Sequence, residues 1–169
     1  MSSVGRPTAD SSLRSETLPL VAVVSRLNVF RFFRIVPDSM SFDSTDSRID
    51  EAIQLFNEGE FFACHDVFED FWSELMGSEK TFFQGMIHAA VCLHHFEESN
   101  LTGARKMYGS FVRYVSNFAP EFCGIQVQQL MDDMETCFAD LLAVSSGYPH
   151  GIELKRELLP RISRRIASK

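Results

Sequence analysis

The run Phe56-Asn57-Glu58-Gly59-Glu60-Phe61-Phe62-Ala63-Cys64-His65-Asp66-Val67-Phe68-Glu69-Asp70-Phe71-Trp72 carries the strongest structural signal in the chain. It is followed, after Met76-Gly77-Ser78, by Phe82-Phe83-Gln84-Gly85-Met86-Ile87-His88-Ala89-Ala90-Val91-Cys92-Leu93-His94-His95. Apolar residues recur here with the helical period, and polar residues capable of chemistry recur among them at the same spacing. His65, Glu69 and Trp72 stand at i, i+4 and i+7, which puts them on one face of a helix. Gln84, His88 and His95 stand at i, i+4 and i+11, again one face.

Working outward, Asp46 or Ser47 can cap a first helix whose apolar face holds Ile49, Ile53 and Phe56. Asn57-Glu58-Gly59 ends it, with Gly59 free to take the left-handed conformation. A second helix is expected from Glu60 to Leu75 and a third from Glu79 to Glu97, with Gly77 stopping one and Ser78 capping the other. So short a connection makes them antiparallel neighbours. A fourth helix runs from Thr102 to Asn117, closed by Ala119-Pro120, and a fifth from Ile125 to Val144. No segment alternates as a strand does. The expected fold is all-α, a single bundle of about five helices over residues 46–145 with an antiparallel hairpin at its centre. A tail follows over 146–169, with at most short helical pieces, from which Leu158, Leu159 and Ile162 can tuck against the bundle.

Residues 1–45 read differently. Residues 1–37 carry five Arg, no Lys and two acids, a net charge of +3, against −10 for the remainder. Ser-rich, Arg-bearing and acid-poor composition is that of an organelle transit peptide, followed by a polar linker from Ser39 to Ser47. The competing reading is a disordered tail whose basic patch touches membrane surfaces. The apolar run Leu18 to Val24 is too short to span a bilayer. The overall charge of −7 argues against a nucleic-acid binder. Cys64, Cys92, Cys123 and Cys137 show no metal-ligand spacing and read as reduced thiols, mostly buried.

With the turn centred near Gly77-Ser78, residues whose numbers sum to about 155 lie level across the hairpin. His65, Glu69, Gln84 and His88 then form one buried or half-buried polar cluster, with His95 at the far end. Three roles fit it. A hydrogen-bonded network can fix helix register, or the same groups can hold a small ligand or a protein partner. A metal site can use His65, Glu69 and His88, since two His and a carboxylate are a common ligand set. His65 can act as an acid/base group oriented by Glu69, which suits a hydrolytic enzyme. Binding of a ligand or partner through His65, Glu69, Trp72, Gln84, His88 and His95 ranks first. No cofactor class follows from the pattern. Trp72 and Phe61, Phe62, Phe68, Phe71, Phe82 and Phe83 read as core packing.

The residues also resemble a known family. Phe56-Asn57-x-Gly59-x-Phe61-x-x-x-His65-x-x-x-Glu69-x-x-Trp72, Phe83-Gln84-Gly85-x-Ile87, His95 and Asn100-x-x-Gly103-Ala104 resemble the domain-of-unknown-function family numbered 309. The resemblance runs from Ile49 to Val115. It implies a small all-helical domain with a site around His65, Glu69, Trp72 and Gln84, and names no substrate. Ser99 stands where that family usually has Gly, and His88 where it often has Gln. The family occurs in bacteria, cyanobacteria and plastid-bearing eukaryotes. The resemblance therefore favours a chloroplast destination for the basic arm, over a mitochondrial or cytoplasmic one.

Overall fold

Five α-helices follow one another in the computed structural model, which describes residues 46–144 and 149–165. The expected arm over 1–45 lies outside those residues. Among those described, helices α1 (Ser47–Glu58), α2 (Phe61–Ser73), α3 (Gly77–Glu97), α4 (Leu101–Val115) and α5 (Val127–Ala143) account for the regular structure, with single 3₁₀ turns at Ser116–Phe118 and Arg156–Leu158. Among the described residues there are two isolated β-bridges and no β-strand. The all-α expectation holds.

The helix ends follow from local chemistry. Asp46 caps α1 by accepting the Arg48 N–H at 2.9 Å. Gly59, at φ 87, ends it: its N–H reaches the Phe56 carbonyl, and the Glu60 N–H reaches the Leu55 carbonyl. The same motif closes α3. Ser99 takes φ 57, its N–H bonds the Phe96 carbonyl, and the Asn100 N–H bonds the His95 carbonyl. Asn100 then caps α4 by accepting from the Gly103 N–H at 3.0 Å. A Cβ on Gly103 would lie 2.6 Å from the Asn100 side chain, so the cap needs glycine three residues on. One expected cap fails. Ser78 does not cap α3, which starts at Gly77 with Met76 before it; the Ser78 hydroxyl bonds Glu79 instead.

α3 is the central element. Its buried residues, from Phe82 and Phe83 through Met86, Ala89, Ala90 and Leu93 to Phe96, cover more than half of its circumference. Helix α2 packs on one side through Phe68 and Phe71, whose rings lie 5.8 Å and 5.0 Å from that of Phe83. Ring contacts between α2 and α3 include Phe71–Phe83 at 5.0 Å and Phe62–His94 at 5.4 Å. On another side α4 comes very close at Gly85. A Cβ there would lie 2.4 Å from Val115 Cγ1 and 3.0 Å from Tyr114 Cβ. Helix α5 adds Phe138, which stacks with Tyr108 and meets Phe96.

The C-terminal segment does more than tuck in. Ile162 is buried, as expected, and its N–H and C=O both bond the Asn57 side chain, at 2.8 Å and 3.0 Å. Ser163 and Arg165 pair with Gln126 and Gly124 through backbone hydrogen bonds. Arg164 forms an ion pair with Asp50 of α1 at 2.6 Å. The segment thus ties α1 to the loop before α5. Cys64, Cys92 and Cys137 are buried, Cys123 is half-buried, and all four are free thiols.

Candidate functional site

Outward from the core, α3 presents a half-buried stripe: Lys80, Gln84, His88, Val91 and His95, at helical spacing along one side. It spans about 22 Å at 1.5 Å per residue. Both of its ends touch α2. At one end the Trp72 indole N–H donates to the Lys80 carbonyl at 3.0 Å, and the Lys80 ammonium lies 4.2 Å from the Trp72 ring centroid. At the other, His95 stacks on His94 at 6.3 Å, His94 meets Phe62 at 5.4 Å, and Phe62 meets His65 at 6.0 Å. Asn100 Nδ2 lies 3.3 Å from His95 Nδ1, which links the α4 cap to the same edge.

The single four-residue cluster expected from the sequence is not what forms. His65 finds its partners within α2: Nδ1 lies 3.0 Å from Asp66 Oδ1 and Nε2 3.7 Å from Glu69 Oε2. Gln84 and His88 pair with each other along α3, Nε2 to Nε2 at 3.3 Å, and His88 packs edge-on against Tyr114 of α4 at 5.2 Å. The physical reason is azimuth. The level rule gives height along the hairpin, but the α2 ridge facing the core is Phe61, Cys64, Phe68 and Phe71. His65 and Glu69 each follow a ridge residue by one position, about 100° round the helix. They therefore stand at the rim, and the Glu69 side chain is 60% exposed.

Two roles lose support as a result. No polar or charged residue among those described falls in the buried core, so a buried register-fixing network is not present. Nor do three His, Cys, Asp or Glu side chains converge into a metal-holding group among the described residues. The candidate ligands are divided, with His65 and Glu69 on α2 and His88 against α4.

Within the stripe, His88 has a buried ring nitrogen, Nδ1. With the Gln84 amide donating to Nε2, the neutral ring carries its proton on Nδ1, and that buried atom has no hydrogen-bond partner among the described residues. Burial lowers the His88 pKa from its ordinary value, and the positive charge of Arg113 lowers it further. The ring is therefore neutral at pH 7. Arg113 itself lies over the Tyr114 ring at 5.2 Å.

Sequence reasoning missed three members of this surface. Phe62, expected in the core, is 60% exposed, because Phe61 beside it takes the inward direction. Adjacency alone did not mark it: neighbours about 100° apart can share a wide buried face, as Phe82 and Phe83 do on α3, whereas the α2 ridge is narrower. Asp66 and Tyr114 had no motif to mark them. Trp72 is half-buried against the core, and Phe61, Phe68, Phe71, Phe82 and Phe83 are buried as expected.

The geometry also sorts the residues of the family resemblance by what they do. Gly59 supplies a left-handed helix end, Gly85 a close crossing, Asn100 with Gly103 a cap, and Asn57 the anchor for Ile162. Phe56, Phe61, Phe83, Ile87 and Ala104 are core. His65, Glu69 and Gln84 belong neither to the buried core nor to a helix cap: His65 and Glu69 pair along α2, and Gln84 pairs with His88 along α3.

Comparison with known proteins supports the resemblance. The family model described as "Domain of unknown function (DUF309)" matches residues 49–107. The uncharacterized protein YpuF of Bacillus subtilis (strain 168) is 25% identical over 119 residues, covering 69% of this chain and 68% of that protein. An uncharacterized protein of Aquifex aeolicus (strain VF5) is 28% identical over 86 residues, half of this chain but only 26% of its own length.

Proposed function

We propose, with the DUF309 match over residues 49–107 as premise, that this domain is a binding module whose site is the α2–α3 surface. The observation that carries this reading is the sorting above: polar family-type residues outside the core and the caps stand along the neighbouring helices α2 and α3. Polar motif residues outside the core, exposed as Glu69 is or half-buried as His65 and Gln84 are, point to recognition, whereas core and cap residues point to folding. The shape favours a polypeptide over a small molecule. A stripe about 22 Å long, rimmed by Trp72 and a mostly exposed Phe62, matches an extended or helical segment.

The hydrolytic alternative is less well served. An acid/base histidine needs one ring nitrogen free to meet the substrate. In His65 one nitrogen is bonded to Asp66 and the other faces Glu69. The test is affinity capture with the full chain, wild type against a Glu69→Gln/Gln84→Ala variant that melts within a degree or two of it. The reading expects a near-stoichiometric partner that the variant loses. Equal recovery by both would refute it.

For residues 1–45 we propose a transit peptide directing the domain to the chloroplast, on their Ser-rich, Arg-bearing, acid-poor composition. A reporter fused to this segment should enter the organelle; retention in the cytosol would overturn the proposal.

A further inference from the structure

We propose that the outer face of α2 receives a basic amphipathic segment of another protein, with Phe62 as the apolar anchor and Asp66, Glu69 and Asp70 as the charged row. This rests on the binding-module reading and names the partner's chemistry. Phe62 is the large aromatic most exposed among the described residues, at 60%, yet its ring is held between those of His65 and His94. An exposed ring already fixed in place loses little entropy on docking. Four residues on, the carboxylates begin: Asp66, Glu69, Asp70 and Glu74 have side chains 59%, 60%, 79% and 62% exposed.

Among the described residues, one guanidinium, that of Arg48, answers these four carboxylates. Arg48 is committed to Glu74 and Asp46, each at 2.8 Å, and reaches Asp70 only at 3.8 Å. Among the described residues, Asp66 and Glu69 have His65 as their shared ion-pair partner. The face therefore carries net negative charge around an apolar knob, which repels nucleic acid and anionic lipid and attracts Lys or Arg. A partner helix or strand with apolar residues on one side and cations beside them complements it on both counts.

The probe is an 18-residue amphipathic peptide of Lys and Leu, with a Glu/Leu peptide of the same pattern as its counterpart. Binding to the full chain is followed by calorimetry and by the emission of Trp72, the single tryptophan of the protein. The inference expects saturable one-to-one binding of the Lys/Leu peptide and none of the other. Phe62→Ala, and separately Asp66→Asn/Glu69→Gln/Asp70→Asn, should each weaken it about tenfold, the effect of losing a central anchor or charge row. Asp132→Asn/Asp133→Asn, on the exposed side of α5, should change it less than twofold. Equal weakening by the α5 pair, or full binding by Phe62→Ala, would mean unspecific charge attraction and would overturn the inference. Binding of the Glu/Leu peptide that Phe62→Ala abolishes would overturn the basic partner but leave the binding-module reading standing. Absence of binding by both peptides also sinks the basic partner, and the capture experiment then decides the wider reading separately.

Discussion

Ser99 holds φ 57 at the end of α3, in the same hydrogen-bonded motif where Gly59, at φ 87, ends α1. The left-handed conformation costs an L-residue roughly 1–2 kcal/mol, more than the roughly 0.5–1 kcal/mol of extra unfolded-chain entropy that glycine carries. Ser99→Gly should therefore stabilise the domain by about 0.5–1 kcal/mol, raising its melting temperature by a few degrees. Ser99→Ala keeps the strain and should give no gain, and a gain from Ala would contradict the account. His88 makes a second prediction at this scale. Its folded pKa lies below the ordinary value of 6.5, so the unfolded chain takes up the proton first. Its contribution to stability is complete above about pH 6.5 and is lost as pH falls from there through the lowered pKa. Urea melts of wild type should lose stability between pH 7 and pH 5, and His88→Gln should flatten that slope. An unchanged slope would mean other groups set it.

At the scale of elements, the helix period located all five helices within about two residues, because the core ridges recur without a break. What it could not supply was direction around each helix and pairing across long separations. The level rule put Glu69 near Gln84 and His88, but Phe68, one residue earlier, takes the inward direction. The clasp of Ile162 on Asn57 joins residues 105 apart, a pairing no spacing rule reaches. Asn57→Ala should cost about 1–3 kcal/mol by stranding both backbone groups of Ile162. Amide exchange should then quicken at Ile162 and Arg165 before it does in α3, and uniform quickening would speak against a separate clasp. At the α3–α4 crossing, Gly85→Ala forces a methyl against Val115, whose branched side chain has little freedom. Overpacking of about 1–3 kcal/mol should outweigh the helix-propensity gain of roughly 1 kcal/mol. Val115→Ala in the same chain should recover part of the loss, and strict additivity would place the strain elsewhere.

Among the described residues, labour is divided between an apolar, phenylalanine-rich interior and a largely acidic exterior. Sequence and structure agree on the interior except at Phe62, expected in the core and 60% exposed. The candidate site was half legible: the right residues stood out, because polar groups at helical spacing amid core residues are conspicuous. Their grouping was not legible, and the one exposed aromatic contributor, Phe62 at 60%, was hidden beside Phe61 among the described residues. The central claim is that His65, Glu69 and Gln84 are kept for recognition and not for stability. Among described residues, Glu69 contacts only His65 at 3.7 Å, with its side chain 60% exposed. Such a pair contributes between about 0 and 1 kcal/mol. The direct test is the melting temperature of a His65→Ala/Glu69→Ala/Gln84→Ala variant. The account predicts a midpoint within a few degrees of wild type, unchanged or higher, as expected where residues serve function at no gain in stability. A fall of ten degrees or so, comparable to losing a core contact, would show these residues to be part of the packing and would contradict it.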